Sequence, residues 1–146
     1  MDSIKNYIAP HEKPQKQVKS ILVKDYMMPN PVVFYDKQSL IEVVDYLIDK
    51  RISGGPVLDK ENKLIGIITE ADYMRYISNG SYFNRPLNDA LVEDYMTKKV
   101  DTISPNASLY DAAETFHKLR RKRLIVVENN EFVGQITRKD VIKGII

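Results

Sequence analysis

The chain has 146 residues, of which 43% are hydrophobic and 29% charged, a composition typical of one globular domain. Its net charge of +2 gives no electrostatic case for nucleic acid or a membrane surface as a partner of the whole molecule. Because it contains no cysteine, disulfides, thiolate metal sites and a thiol nucleophile are excluded. There is neither an apolar run of about 18 residues nor the apolar core of a signal peptide at the start, so we expect a cytoplasmic protein without membrane insertion.

Residues 1–20 are interpreted as a polar N-terminal arm. Pro10 and Pro14 interrupt any helix there, and three lysines make the arm basic: Lys13, Lys16 and Lys19. A solvated tail is the simpler interpretation of such a segment, and a basic binding arm is the alternative.

A first set of elements is predicted over residues 21–77. A short strand at 32–34 follows the turn at 28–31, and a helix with its apolar positions on one face comes next. Ser39 and Glu42 have the spacing of a capping box at the start of that helix. After Gly54-Gly55-Pro56, which ends the helical region, we predict a strand at 57–58, a hairpin turn at 59–63, a strand at 64–69 and a helix at 71–77.

The pattern restarts after a linker at residues 78–91. Val92-Glu93-Asp94-Tyr95-Met96 repeats Val23-Lys24-Asp25-Tyr26-Met27 at an offset of 69 residues, and Ser108 starts a second capped helix. The second hairpin is one residue shorter, so later positions match at an offset of 68. Two β-α-β-β-α units are therefore predicted, and because neither buries enough surface alone, we expect them to pack face to face around two equivalent clefts.

One heptad closes both units. It reads Gly66-Ile67-Ile68-Thr69-Glu70-Ala71-Asp72 in the first and Gly134-Gln135-Ile136-Thr137-Arg138-Lys139-Asp140 in the second, which is typical of a buried strand running into a helix. Taken alone, Thr-x-x-Asp is close to a capping box that satisfies free backbone amides at a helix start, which is a purely structural role. Its recurrence at the end of a long repeated unit favours a functional role as well.

These features resemble the cystathionine β-synthase (CBS) domain. The order D-Y-M, capped helix, G-x-P-V, hairpin and G-I-x-T-x-x-D occurs twice, and two such domains in tandem resemble a CBS pair, or Bateman module. The resemblance implies an α/β (α+β) fold in which two β-α-β-β-α repeats pack sheet to sheet with pseudo-twofold symmetry. It implies repeat 1 at 21–77 and repeat 2 at 92–146, and a homodimer formed through the helices.

The resemblance also implies nucleotide-binding residues. In the family the aspartate of T-x-x-D binds the ribose hydroxyls, which assigns Asp72 and Asp140 to that role, and a carboxylate has two acceptor oxygens for a cis-diol. Thr69 and Thr137 lie at helix starts, where backbone amides suit an anion. The other candidates are Ser53, Pro56, Thr102, Lys122, Arg123 and Arg138, of which Lys122 and Arg123 match the place of phosphate contacts in the family.

The two halves differ in charge. Five cations, Lys118 and Arg120 to Arg123, precede the β-strand of repeat 2, whereas repeat 1 has no cation at Ile52-Ser53-Gly54-Gly55. A solvated helix end, favoured by the helix dipole, is the alternative interpretation of these cations. Glu70 stands where repeat 2 has Arg138, and Ile125 stands where repeat 1 has Pro56. Our hypothesis is that one cleft binds phosphate better than the other, and which cleft receives Arg123 is open at this point.

We interpret the chain as a non-catalytic regulatory module that senses adenine nucleotides (AMP, ADP or ATP), requires no cofactor and signals to an effector protein in trans. The alternatives are an interaction or dimerisation module with no nucleotide ligand, and a sensor of another adenosyl ligand such as S-adenosylmethionine or cyclic di-AMP. Nucleic-acid binding through residues 118–123 ranks lower because the charge is nearly balanced. The two histidines, His11 and His117, form no recognisable metal or catalytic motif.

Overall fold

The computed structural model describes residues 20–78 and 89–146, so almost all of the predicted arm and linker lies outside the described residues. Repeat 1 contains β1 (Phe34–Tyr35), α1 (Leu40–Lys50), β2 (Gly54–Leu58), β3 (Leu64–Thr69) and α2 (Glu70–Ser78). A short helix α3 (Val92–Tyr95) leads into repeat 2, which contains β4 (Thr102–Ile103), α4 (Leu109–Leu119), β5 (Arg123–Glu128), β6 (Glu131–Thr137) and α5 (Arg138–Ile145). A 3₁₀ turn at Val23–Asp25 begins repeat 1, at the position equivalent to α3.

Each repeat forms one three-stranded sheet with the same topology. The orders are β1-β2-β3 and β4-β5-β6, and in each sheet the first pair is parallel and the second antiparallel. The predicted β-α-β-β-α order and the α/β fold class are confirmed. Two strands differ in their bounds: the first lies at Phe34–Tyr35, and β2 begins at Gly54, because Gly54 to Pro56 pair with Thr69 to Ile67 and are buried as strand residues. The helix predicted at 71–77 is one residue longer at each end.

The predicted helix caps form at three of four sites. Ser108 Oγ accepts a hydrogen bond from the Asp111 N–H, and the Asp111 carboxylate accepts one from the Ser108 N–H, which completes a capping box. Thr69 and Thr137 form the same reciprocal pairs with Asp72 and Asp140. The prediction for Ser39 and Glu42 was wrong: Ser39 starts α1, but its hydroxyl is buried without a partner among the described residues.

Each repeat completes the core of the other. The core on the first sheet contains Ala90 and Val92 from the segment before repeat 2, with Met96 packed against it. The core on the second sheet contains Val23 from the start of repeat 1, with Met27 packed against it. We call residues 23–28 and 90–97 the crossing segments. Each crossing segment therefore packs its apolar side chains on the sheet of the other repeat.

The crossing segments are joined to the sheets by backbone hydrogen bonds. Thr97 exchanges two N–H···O bonds with Ile67 of β3, with N···O distances of 2.8 and 2.9 Å. Met28 does the same with Gln135 of β6, at 2.8 and 3.1 Å. The two pairs occupy equivalent positions in the repeats, so the same contact is made twice about a pseudo-twofold axis.

The glycine that opens each heptad is required by this crossing. A Cβ on Gly66 would lie 2.7 Å from Met96 Sδ and 2.9 Å from the Thr97 carbonyl oxygen. A Cβ on Gly134 would lie 2.6 Å from the Met28 carbonyl oxygen. The absence of a side chain therefore lets the crossing segment lie directly on the strand.

Candidate functional site

A cleft of about 730 Å³ is lined by residues of both repeats, and we call it the Asp72 cleft. Repeat 1 contributes the end of β3 and the start of α2, and the segment after α3 contributes Thr97 and Lys99. Repeat 2 contributes the residues between α4 and β5. The described lining residues are Ser53, Ile67, Thr69, Glu70, Ala71, Asp72, Met74, Arg75, Thr97, Lys99, Asp101, Arg120, Arg121, Lys122 and Arg123.

Asp72 is buried, with 2% of its surface exposed, and both of its carboxylate oxygens are hydrogen-bonded. Oδ2 accepts from the Thr69 N–H at 2.9 Å and from Thr69 Oγ1 at 3.2 Å. Oδ1 accepts from Thr97 Oγ1 at 2.7 Å and lies 3.1 Å from Arg75 Nη1. A carboxylate offers about four acceptor positions, and the chain's own donors occupy all of them.

Arg123 joins the two repeats inside this cleft. It begins β5 of repeat 2, and its Nη2 donates a hydrogen bond to Ser53 Oγ of repeat 1. Burial lowers the pKa of the Arg123 guanidinium, and the nearby Glu70 carboxylate opposes that shift. Since a guanidinium loses its proton only far above neutral pH, Arg123 remains a cation in this partly buried position.

The wall of the cleft facing the Thr69–Asp72 motif is basic. Arg120 ends α4 with a left-handed backbone (φ 53°), and the chain then turns into β5, which brings the cations after α4 into the cavity. Arg121 Nε lies 2.5 Å from Asp101 Oδ2, and Lys122 Nζ lies 3.4 Å from Glu70 Oε1. Six cations and three carboxylates line the described cleft, so its net charge is positive: Arg75, Lys99, Arg120, Arg121, Lys122 and Arg123 against Glu70, Asp72 and Asp101.

The second motif has the same cap but different surroundings. Asp140 Oδ2 accepts from the Thr137 N–H and from Thr137 Oγ1, both at 2.9 Å. Among the described residues, Asp140 Oδ1 has no hydrogen-bond partner, because Met28 and Lys143 stand at the positions of Thr97 and Arg75. The second carboxylate is half-buried and has a free oxygen, whereas Asp72 is fully engaged.

The sequence-predicted residues do not all meet in one place. Thr69, Asp72, Ser53, Lys122 and Arg123 line the Asp72 cleft together. Thr137 and Asp140 form the second motif, and the lining of the Asp72 cleft includes neither of them. The other three lie elsewhere: Arg138 borders a groove between α4 and α5, Pro56 is buried in β2 opposite Ile67, and Thr102 is exposed on β4 beside Ile125.

The sequence reasoning missed several residues at the cleft, among them Arg75, Thr97 and Lys99. Arg75 lies three residues after Asp72 on α2, a spacing that places both on one helix face and could have identified it. Thr97 ends the crossing segment 90–97 and Lys99 follows it, and no local pattern indicates that this segment lies on the opposite sheet.

Two negative findings apply to residues 20–78 and 89–146. No group of three or more histidine, aspartate or glutamate side chains in these ranges could hold a metal ion. No helix in the same ranges is both long enough and apolar enough to cross a bilayer.

Comparison with known proteins identifies one family model, described as the CBS domain, which matches residues 23–79 and 92–146. The chain is 34% identical to uncharacterised protein MJ1426 of Methanocaldococcus jannaschii, over 86% of this chain and 92% of that protein. It is 37% identical to inosine-5′-monophosphate dehydrogenase of Nitrosopumilus maritimus, but spans only 22% of that enzyme and 79% of this chain.

Solved structures have the same fold. CBSX2 of Arabidopsis thaliana, solved in complex with AMP, superposes with a TM-score of 0.76 at 24% identity, covering 86% of this chain and 96% of that one. The CBS domain pair of MJ0100, solved with 5′-methylthioadenosine and S-adenosyl-L-methionine, has a TM-score of 0.70 at 26% identity. That alignment covers 86% of this chain and 95% of MJ0100's domain pair.

Proposed function

Because the chain belongs to the CBS domain family, we propose that it is a regulatory module that binds an adenine nucleotide in the Asp72 cleft. The observation that supports this most directly is that the Thr69–Asp72 motif of repeat 1 and the cations 120–123 of repeat 2 line one cavity. A ribose diol and a phosphate group are the two polar features of a nucleotide, so the two repeats would hold different parts of one ligand. The volume of about 730 Å³ is within the usual range for small-molecule sites.

The proposed roles follow from side-chain chemistry. Asp72 would accept hydrogen bonds from the ribose hydroxyls, with Thr69 beside it at the helix start. Arg123 and Lys122 would contact the phosphates, since an arginine fork matches a phosphate in bidentate fashion. Ile67 and Met74 supply apolar surface on which an adenine ring can lie.

The charge of the cleft favours a phosphorylated ligand over other adenosyl compounds. The sulfonium of S-adenosylmethionine is a cation, and six cations among the described lining residues would repel it. A relative at 26% identity was solved with that ligand, so it remains the comparison to test. The same charge argument supports unequal clefts, with phosphate bound better beside Asp72 than beside Asp140.

We propose that the module is non-catalytic and acts through a partner. The described lining of the cleft contains no histidine, and the whole chain contains no cysteine, which removes the commonest general base and a common nucleophile. The output would be a change in the affinity for an effector protein in trans, and the working unit would be a homodimer. A ligand produces such a change only by binding two states of the protein unequally.

One observation favours the alternative, an interaction module without a nucleotide. All acceptor positions of Asp72 are occupied by Thr69, Thr97 and Arg75, so a ribose must displace internal donors before it binds. If replacing these internal hydrogen bonds by bonds to a ribose cost too much free energy, nucleosides would not bind in the cleft. Titration with ligands separates the two proposals.

The test is calorimetric titration of the purified protein with AMP, ADP, ATP, GTP, S-adenosylmethionine and cyclic di-AMP, for the unmodified chain and for Asp72→Asn and Asp140→Asn. The two variants are matched, because each carboxylate caps its helix in the same way. Charge-assisted hydrogen bonds contribute about 1.5–3 kcal/mol each, and loss of the carboxylate should cost about 2–4 kcal/mol in all. Asp72→Asn should therefore weaken nucleotide binding roughly 30- to several hundred-fold, with little change for Asp140→Asn. No binding of any compound at millimolar concentration would refute the nucleotide proposal.

A further inference from the structure

Arg75 binds the Asp72 carboxylate from within the cleft. It lies one turn after Asp72 on α2, and its Nη1 is 3.1 Å from Asp72 Oδ1. Its Nη2 donates a hydrogen bond of 2.8 Å to the carbonyl oxygen of Tyr95, the last residue of α3. A carbonyl at the end of a helix has no partner within that helix, so Tyr95 offers an acceptor that directs the guanidinium towards Asp72. We call these two contacts of Arg75 the clamp.

Repeat 2 forms the same cap without a clamp. Lys143 stands at the position equivalent to Arg75, and the Asp140 contacts among the described residues are those with Thr137. The pairing of Met28 with β6 nevertheless forms, as the pairing of the crossing segment with β3 does in repeat 1. The fold of a repeat therefore does not require the clamp, which indicates that it serves the Asp72 cleft.

The clamp imposes a cost on any ligand that uses Asp72 Oδ1. Asp72 is 2% exposed, so its charge depends on groups inside the protein rather than on water. A neutral ribose that displaces Arg75 supplies hydrogen bonds but no positive charge, and separating a buried carboxylate from its cation is unfavourable. A nucleoside without phosphate would therefore bind weakly.

A phosphate on the ligand changes this balance. The side chain of Arg75 is 50% exposed, and it lines the same cavity as the cations 120–123. The guanidinium can therefore turn from Asp72 towards a phosphate without movement of α2, and its planar fork matches a phosphate in bidentate fashion. A nucleotide would thus replace Arg75 at Asp72 and also provide the anion that accepts it.

We propose that Arg75 makes the Asp72 cleft select phosphorylated nucleosides over nucleosides, by exchanging Asp72 for a phosphate when the ligand binds. The inference rests on the proposed nucleotide function and adds a specificity-determining residue to it. Arg75 differs in this from the cations 120–123, which attract phosphate but have no contact with Asp72 that a nucleoside must break.

Calorimetric titration with ATP and with adenosine tests this selectivity in the unmodified chain, Arg75→Met and Lys143→Met. In Arg75→Met, adenosine should bind about 3- to 10-fold more tightly, because its competitor for Asp72 is gone. ATP should bind no more tightly, because it loses a phosphate contact as well. Lys143→Met removes the same charge from the equivalent position of repeat 2, so it is the matched control and should leave the ratio of the two affinities unchanged.

Two results would overturn the role of Arg75 alone. Adenosine affinity in Arg75→Met that is no higher than in the parent would show that Arg75 does not compete with the ribose. An equal change for ATP and adenosine would leave Arg75 without an effect on selectivity. No binding of ATP by the unmodified chain would instead refute the nucleotide function on which the inference rests.

A second variant keeps the test valid if Arg75→Met does not fold, which thermal unfolding without ligand would reveal. Arg75→Lys keeps a cation and a good helix former beside Asp72. Lysine lacks the fork that joins Asp72 to Tyr95, so the preference for ATP over adenosine should fall, but less than in Arg75→Met. A preference in Arg75→Lys equal to that of the parent would show that the clamp geometry is not needed and would contradict the proposal.

Discussion

The most informative single substitution in the Asp72 cleft is Thr97→Val. Valine has nearly the shape of threonine but lacks the hydroxyl that donates to Asp72 Oδ1 at 2.7 Å. Because Asp72 is buried and its acceptor positions are all engaged, a ribose bound as proposed would compete with Thr97 for the same oxygen. Removing the competitor should strengthen nucleotide binding.

The size of the effect follows from one hydrogen bond. An intramolecular hydrogen bond contributes about 0.5–1.5 kcal/mol net, so the affinity for ATP should rise about 2- to 13-fold in Thr97→Val. The ligand-free protein should lose stability, because a buried carboxylate oxygen loses a donor, and saturating ATP should restore much of that loss.

The assay is calorimetric titration with ATP and AMP, paired with thermal unfolding with and without ligand. Thr97→Ser keeps a hydroxyl and is the matched control, with an expected affinity close to that of the parent. An affinity that is unchanged or lower in Thr97→Val, in a variant that is folded, would show that the ribose does not use Asp72 Oδ1 and would refute the reasoning.

Further predictions concern Gly66, Glu70 and the two left-handed helix ends. Gly66→Ala should lower the free energy of unfolding in urea by about 1–3 kcal/mol, because its Cβ overlaps Met96 and the Thr97 carbonyl, and an unchanged midpoint would contradict the crossing geometry. Glu70→Gln removes an exposed partner of Lys122, so ATP should bind up to about 5-fold more tightly at low salt, with no change for adenosine. Arg51→Gly and Arg120→Gly should each slightly stabilise the fold by relieving a positive φ, and only Arg120→Gly should weaken ATP binding. Thermal unfolding measures the stability of these two variants, and titration measures their affinity for ATP. An equal loss of affinity in Arg51→Gly and Arg120→Gly would exclude a contact between Arg120 and ATP.

Much of the architecture could be predicted from local signals. The strand predicted at 64–69 is observed with the same bounds as β3. The Asp59–Lys63 turn precedes its first residue, and its residues alternate in burial up to Thr69. The Ser108–Asp111 box formed as its spacing predicts, whereas the Ser39 hydroxyl is buried and makes no cap bond, so the same spacing does not by itself guarantee the box.

The composition of the cleft was less predictable, since it depends on contacts between distant parts of the chain. Thr69 and Asp72 were predicted from the repeat, but the position of Arg123 against Ser53 requires the two sheets to be placed relative to each other. Thr97 reaches Asp72 only because the crossing segment lies on β3, and the identity of residue 97 carries no local sign of that contact. When two similar repeats exchange their crossing segments, the order of elements along the sequence stays the same. A sequence pattern therefore does not reveal the exchange.

The exchanged segments also have a consequence for how the chain acquires its fold during synthesis. When the ribosome has synthesised the chain as far as Ser78, Val92 and Met96 are not yet available to pack on the first sheet. The core on the second sheet, in turn, is complete only when Val23 packs against it. Neither half is therefore a self-sufficient intermediate, although domains commonly fold from the N-terminus as they emerge. Pairing of Met28 with Gln135 joins residues about 100 positions apart, and contacts of such long sequence separation slow folding. We therefore expect the nascent chain to stay accessible to chaperones and proteases until β6 has been made.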